Sequence, residues 1–264
     1  MSIETRTEGL VYSVQSNKKG DLVSAGAEDG TITLYKIDEN GSTPIQKLSY
    51  NTSPIFSTVF IEERLVGATH DGHLLVWKQS QSEYVFESVI TVFQGCINTI
   101  VECKGTVLCG CSDGRVRKVS LTGEVTLESL IHKHGVTSLA VYNDYIISGG
   151  MDSSIKILNN EDLAILHDIK EHTKPVRDCK VCDNEFDSFV FASCSDDGTL
   201  CIFTEEKDEK LKFSVDRHKI GTPCRKLSWT PLGYALAVGY GKSDVKVYIP
   251  ESPNKWKETP IVLP

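Results

Sequence analysis

The sequence predicts an all-β fold made of six repeats of one four-stranded unit, and three observations carry that expectation. A short apolar or β-branched run, a polar turn and a second such run recur along the 264-residue chain. The clearest copy is Phe191–Phe203, where Ser195-Asp196-Asp197-Gly198-Thr199 joins the two runs. Such a turn suits a β-hairpin because glycine accepts positive φ and an Asp carboxylate takes nearby backbone N–H groups. The turn aspartates fall at Asp29, Asp71, Asp113, Asp152, Asp197 and Asp244, in steps of 42, 42, 39, 45 and 47 residues. Between them, apolar and polar residues alternate as half-buried strands require, and no segment has a helical period.

A period near 40–45 residues with four strands per unit is the signature of propeller blades. The fold class expected is a six-bladed WD40-type β-propeller, one domain over 1–264 with blades at about 1–49, 50–91, 92–131, 132–170, 171–216 and 217–264. The first blade opens with Leu10, Tyr12 and Val14, turns at Asp29-Gly30 and closes near Ile45–Leu48. The second opens at Ile55–Phe60, turns at Asp71-Gly72 and closes with Tyr84–Ile90. The third opens at Ile97–Val101 and closes near Leu127–Ile131; the fourth opens at Val136–Val141 and closes at Ala164–Ile169. The fifth opens with Val176-Arg177-Asp178 and closes near Leu211–Val215, and the sixth opens at Arg225–Trp229 and closes at Trp256–Val262. Trp77, Phe203 and Tyr248 are expected on third strands, filling the space between adjacent twisted sheets.

A net charge of −8 argues against a general nucleic-acid binder. The opening residues Met1–Glu8 hold no apolar signal core and no later run reaches membrane-spanning length, so a cytosolic or nuclear protein is expected. Its nine cysteines then read as reduced small hydrophobes.

Several motifs invite sharper readings and do not sustain them. Gly239-Tyr240-Gly241-Lys242-Ser243 ends like a phosphate-binding loop, but Leu236 stands where its first glycine is needed and no helix follows. Cys179-Lys180-Val181-Cys182 has half a zinc knuckle's spacing without a second pair. His132 and His134 are too few ligands for a metal, and a histidine there is expected to bond a neighbouring turn. His172 invites the same role with Asp178 or Asp197. No nucleophile elbow or carboxylate pair stands out, so neither an enzyme nor a cofactor is expected.

The phase of the repeats bears on function. Each unit is complete within its own stretch, so no blade is shared between the chain ends. Only Ile3–Thr7, polar and charged, could supply a latching outer strand. An unlatched ring leaves a seam with apolar flanks, which a partner can cover by adding strands. Candidate seam residues are Leu10, Tyr12 and Val14 in the first blade and Leu227, Trp229, Leu236 and Val238 in the last.

Over nearly its whole length the sequence resembles the Sec-thirteen family of WD-repeat proteins. The likeness is strongest at Val176-Arg177-Asp178, Ala192–Thr204, Cys224–Trp229, Gly233–Val238, Asp244–Tyr248 and Lys255-Trp256. Ile131–Ser138, Ile147–Ile157 and Leu75–Lys78 are similar to that family's fourth and second blades. The Trp-Asp dipeptide is missing, with Tyr35-Lys36, Trp77-Lys78 and Phe203-Thr204 among its replacements. The resemblance implies an open propeller acting as a scaffold subunit. Its places would be the coat protein complex II cage on vesicles leaving the endoplasmic reticulum and the Y-shaped subcomplex of the nuclear pore. It also implies rod-like partners that insert a blade: an α-solenoid coat subunit of the Sec-thirty-one type and a nucleoporin of the Nup-ninety-six type. The competing expectation is a closed propeller that reads peptides as an adaptor in another cytosolic or nuclear complex.

Overall fold

A computed structural model describes residues 9–39, 41–183 and 188–260. Ile3–Thr7, the one run that could supply a latching strand, lies outside the described residues, as do Ile261 and Val262. Strands account for all the regular structure described; no helix occurs among these residues. By contacts the chain divides into two compact units, Met1–Glu128 and Ser129–Pro264.

Six four-stranded antiparallel sheets follow one another in chain order, each a simple meander. The first contains β1 (Val11–Ser16), β2 (Leu22–Ala27), β3 (Thr31–Asp38) and β4 (Gly41–Ser49). The second contains β5 (Ile55–Ile61), β6 (Arg64–Thr69), β7 (His73–Ser80) and β8 (Glu83–Thr91). The third contains β9 (Ile97–Cys103), β10 (Thr106–Cys111), β11 (Arg115–Val119) and β12 (Val125–Leu130). In the fourth are β13 (Val136–Tyr142), β14 (Tyr145–Gly150), β15 (Ile155–Asn159) and β16 (Ile165–Ile169). The fifth holds β17 (Val176–Val181), β18 (Val190–Ser195), β19 (Thr199–Glu205) and β20 (Phe213–Lys219). The sixth holds β21 (Cys224–Trp229), β22 (Leu236–Tyr240), β23 (Asp244–Ser252) and β24 (Lys255–Thr259). This is the blade architecture of a six-bladed WD40-type β-propeller, as the repeat period predicts. The fifth outer strand begins later than expected because Leu211 takes positive φ (59°) in the turn before it.

Within each unit, blades meet face to face through apolar layers. In the first unit, Ile32 and Leu34 pack with Ile55, Leu65, Leu75 and Trp77, while Val66, Leu74 and Val76 pack with Ile97, Ile100 and Val107. In the second, Ile147, Ile155 and Ile157 meet Val176, Phe191 and Phe203, and Ala192, Leu200 and Ile202 meet Leu227, Leu236, Val238 and Tyr248. Trp77, Phe203 and Tyr248 sit on third strands and are at most 2% exposed. Phe203 stacks on Phe191 with ring centroids 4.4 Å apart. Gly149 on β14 shows how closely the blades approach: a Cβ there would lie 2.8 Å from Val176 Cγ1.

The first strand of every blade carries a bulge at its start, between Val11 and Ser13, Ile55 and Ser57, Ile97 and Thr99, Val136 and Ser138, Val176 and Asp178, and Cys224 and Lys226. A bulge re-aims the extra residue out of the strand's alternation. It turns Tyr12, Phe56, Thr137, Arg177 and Arg225 toward the end of the blade that carries the Asp turns.

Candidate interaction surfaces

All six turn aspartates lie between the second and third strands of their blades, or at the first residue of the third. Five are engaged in bonds. Asp29 accepts from Thr31 N–H and Oγ1 at 3.1 and 2.6 Å, and the Thr31 hydroxyl lowers its pKa. Asp71 takes hydroxyl bonds from Thr69 and, across from the loop after β4, Ser53. Burial pushes Asp71 up, but these bonds and His73 outweigh it and bring its pKa to about 2. Asp113 is held by Arg117, whose guanidinium also reaches Glu128 at 2.6 Å and lies 4.4 Å from the centre of the Phe93 ring.

The fourth and fifth blades use histidine. With the ring neutral, His132 Nδ1–H donates to Asp152 at 2.9 Å and Nε2 accepts from Ser148 Oγ at 3.0 Å. His172 repeats this with Asp197 at 3.2 Å and Ser193 at 2.7 Å. Burial lowers the pKa of both histidines in spite of the facing carboxylates. Asp152 is brought to about 2, because bonds from Ser154, the Lys133 amide and the His132 ring exceed its own desolvation. These groups are committed to holding loops onto turns. His172 bonds Asp197, while Asp178 has a different task. Only 2% exposed, Asp178 accepts from Ser138 Oγ of β13 at 3.1 Å and from Leu227 N–H of β21 at 3.0 Å. One carboxylate thereby ties the first strands of three blades together.

Cys179 and Cys182 are buried, and desolvation pushes the Cys179 thiol well above its ordinary pKa. Among the described residues no three His, Cys, Asp or Glu side chains come together in a way that could hold a metal ion. Gly239 and Tyr240 end β22, and Gly241–Ser243 forms the β22–β23 turn.

The candidate seam residues separate into two groups. Leu10 and Val14 are 60% and 66% exposed. Ser13, between them and the second blade, bonds Thr58, so Val14 points to the opposite face of its sheet. Tyr12 instead lies edge-on to Phe56 at 4.8 Å, toward the second blade. In the sixth blade, Leu227, Leu236 and Val238 are buried in the layer shared with the fifth blade, and Trp229 joins that layer beside Trp256, donating its indole N–H to Lys180 O. These four are therefore core residues of the fifth–sixth blade layer. The opposite face of the sixth sheet carries Ala237, Gly239, Val245 and Val247, and Val245 is 49% exposed.

Six WD-type blades, five of whose turn aspartates are tied up in structural bonds, give the chain a WD-repeat architecture, with Leu10, Val14 and Val245 exposed. The WD domain, G-beta repeat family matches residues 2–36, 125–159 and 164–204. The chain is 20% identical over 289 aligned positions to the protein transport protein sec13 of Aspergillus clavatus, covering 94% of this chain and 98% of that protein. The sec13 of Emericella nidulans is likewise 20% identical, over 95% of this chain and 94% of its own. The protein transport protein SEC13 homolog A of Arabidopsis thaliana is 28% identical across 45% of this chain and 41% of that protein. The chain carries WD-type repeats, and its near-full-length likeness to these sec13 proteins supports the Sec13 family.

Proposed function

We propose that this protein is a structural scaffold subunit in protein transport. In this reading it serves in the coat protein complex II cage at endoplasmic reticulum exit and in the Y-shaped nuclear pore subcomplex. It binds a rod-like α-solenoid partner, of the Sec-thirty-one type in the coat and the Nup-ninety-six type in the pore, that contributes strands. The supporting observation is the exposure of Leu10 and Val14 at the first strand of the first blade, read with the near-full-length likeness to proteins named for protein transport. Exposed strand faces of this kind are covered by added strands, and a donated sheet buries well over the ~1,000 Å² of a stable interface. A partner that binds only the folded chain also stabilises it by mass action.

The test is co-expression with the strand-bearing segment of each rod protein. A soluble one-to-one complex with a raised melting temperature is expected. Leu10→Asp with Val14→Asp should abolish the complex while leaving the chain's own melting temperature unchanged, because both side chains are solvated in the free protein. A chain equally stable alone, and indifferent to either segment, refutes the reading in favour of a peptide-reading adaptor.

A further inference from the structure

The chain carries 28 basic and 36 acidic residues, yet residues 217–260 hold eight Lys and Arg against three Asp and Glu. The excess gathers at one end of the second unit. The turn end of the fifth and sixth blades receives Lys174 from the loop before β17, Arg177 and Arg225 from bulges, Lys219 from the end of β20, Lys226 from β21 and Lys242 from the β22–β23 turn.

Nearby carboxylates are too few for these cations. Asp196 is shared by two arginines, Arg177 Nε at 2.8 Å and Arg225 Nη1 at 3.2 Å. Asp197 is held by His172, Thr199 and the Thr173 amide, and Glu171 pairs with Arg217. Asp244 is the remaining exposed acid. Lys174, Lys219, Lys226 and Lys242 are exposed and make no side-chain bond among the described residues.

We propose that this end of the fifth and sixth blades is a docking surface for an acidic, Asp/Glu-rich extended peptide segment of a partner protein. Charge complementarity selects the occupant. A narrow peptide lies on the basic patch alone, within about 8 Å of screening at physiological salt. An anionic membrane or a nucleic-acid duplex spreads over neighbouring surface of a chain that is acidic overall, and is repelled there. The Gly-Tyr-Gly-Lys-Ser turn thus acquires a role through its exposed lysine, with no phosphate loop involved. The proposal does not depend on the scaffold reading.

The experiment is fluorescence anisotropy of the full chain with a labelled twelve-residue Glu-rich peptide, a Gly/Ser peptide of equal length, and vesicles containing phosphatidylserine. Binding of the acidic peptide alone is expected, lost near 0.5 M salt, where the Debye length is about 4 Å. Lys226→Glu with Lys242→Glu should weaken it by about tenfold, with an unchanged melting temperature. Lys18→Glu, in the exposed β1–β2 turn, should leave it unchanged. No binding of the acidic peptide, equal loss in Lys18→Glu, or preferential binding to the vesicles each overturns the proposal.

Discussion

Replacing Asp178 tests whether the blades of the second unit are fastened through their first strands. In Asp178→Ala the Leu227 N–H loses its acceptor inside a buried strand. The Ser138 hydroxyl is better placed, since it already lies 3.2 Å from Cys179 O and accepts from Cys179 N–H at 2.8 Å. One buried donor is therefore orphaned, at about 1–3 kcal/mol, and a charge-assisted bond is lost. The total comes to about 2–4 kcal/mol, or some 5–12 °C in melting temperature for a chain of this size. Asp178→Asn separates geometry from charge. Its Oδ1 can accept from Leu227 N–H while Nδ2 donates to Ser138 Oγ, which still donates to Cys179 O, so the loss should stay near 1 kcal/mol. Thermal and urea unfolding of the three proteins measure both effects. An Ala variant as stable as the parent, or an Asn variant as damaged as the Ala one, refutes this account of the linkage.

Three further outcomes follow from the same geometry. Phe203→Ala removes a fully buried ring stacked on Phe191 and should cost about 3–5 kcal/mol by chemical denaturation; an unchanged midpoint would mean the strand register is wrong. Gly72→Ala should be severely destabilising, since φ is +86° and a Cβ would fall 2.0 Å from Phe93 O, whereas Ser153→Gly at the equivalent turn position (φ 68°) should be neutral or stabilising by up to about 1 kcal/mol. Acid should weaken the fold in two stages. His132 and His172 have folded pKa values below 6.5, so the unfolded chain binds more protons and stability falls as pH drops below 6.5. Asp71 and Asp152, near 2 when folded, add a second loss as pH falls from 3.8 toward 2. Urea midpoints at pH 7.5, 5.5 and 3 should decline in that order, and a midpoint flat from 7.5 to 5.5 contradicts the histidine stage.

The blades and their turns were legible because each rests on a local pattern repeated along the chain, and the third-strand aromatics Trp77, Phe203 and Tyr248 because they hold one fixed place in that repeat. What stayed hidden depends on a neighbour. Alternation divides Leu227, Leu236 and Val238 from Ala237 and Val245 but does not say which face meets the fifth blade. The bulges insert a single residue, and in Val176-Arg177-Asp178 a bulged strand reads no differently from a regular one. That one-residue shift sends Asp178 into the junction of three blades and leaves Asp197 to bond His172. Arg117 looks like an ordinary polar strand position in Arg115-Val116-Arg117. Only the approach of Phe93, Asp113 and Glu128 makes it a buried anchor.

Five of the six turns share a backbone with positive φ at the residue after Asp, while in the sixth Gly241 takes the positive φ and Asp244 opens β23. The carboxylates differ in what they grip, and this grades the blades. Asp71, Asp152 and Asp197 each bond a side chain from the preceding loop, namely Ser53, His132 and His172, and Asp113 reaches Phe93 through Arg117. In the sixth blade the loop before β21 is tied to the turn by Gly241 N–H to Pro223 O, and Asp244 makes no side-chain bond among the described residues. The sixth blade also exposes Val245 on the face turned away from the fifth blade. Local opening should accordingly be easier there, because opening free energy falls where buried contacts and fixed turns are few. Native-state hydrogen exchange should show the amides of β23 exchanging faster than those of β19, which lies between two packed layers under the His172–Asp197 bond. Strands added to the Val245 face should slow exchange in β23 and leave β19 as it was. Equal protection of the two strands in the free chain would mean that the turn carboxylates do not set the stability of their blades.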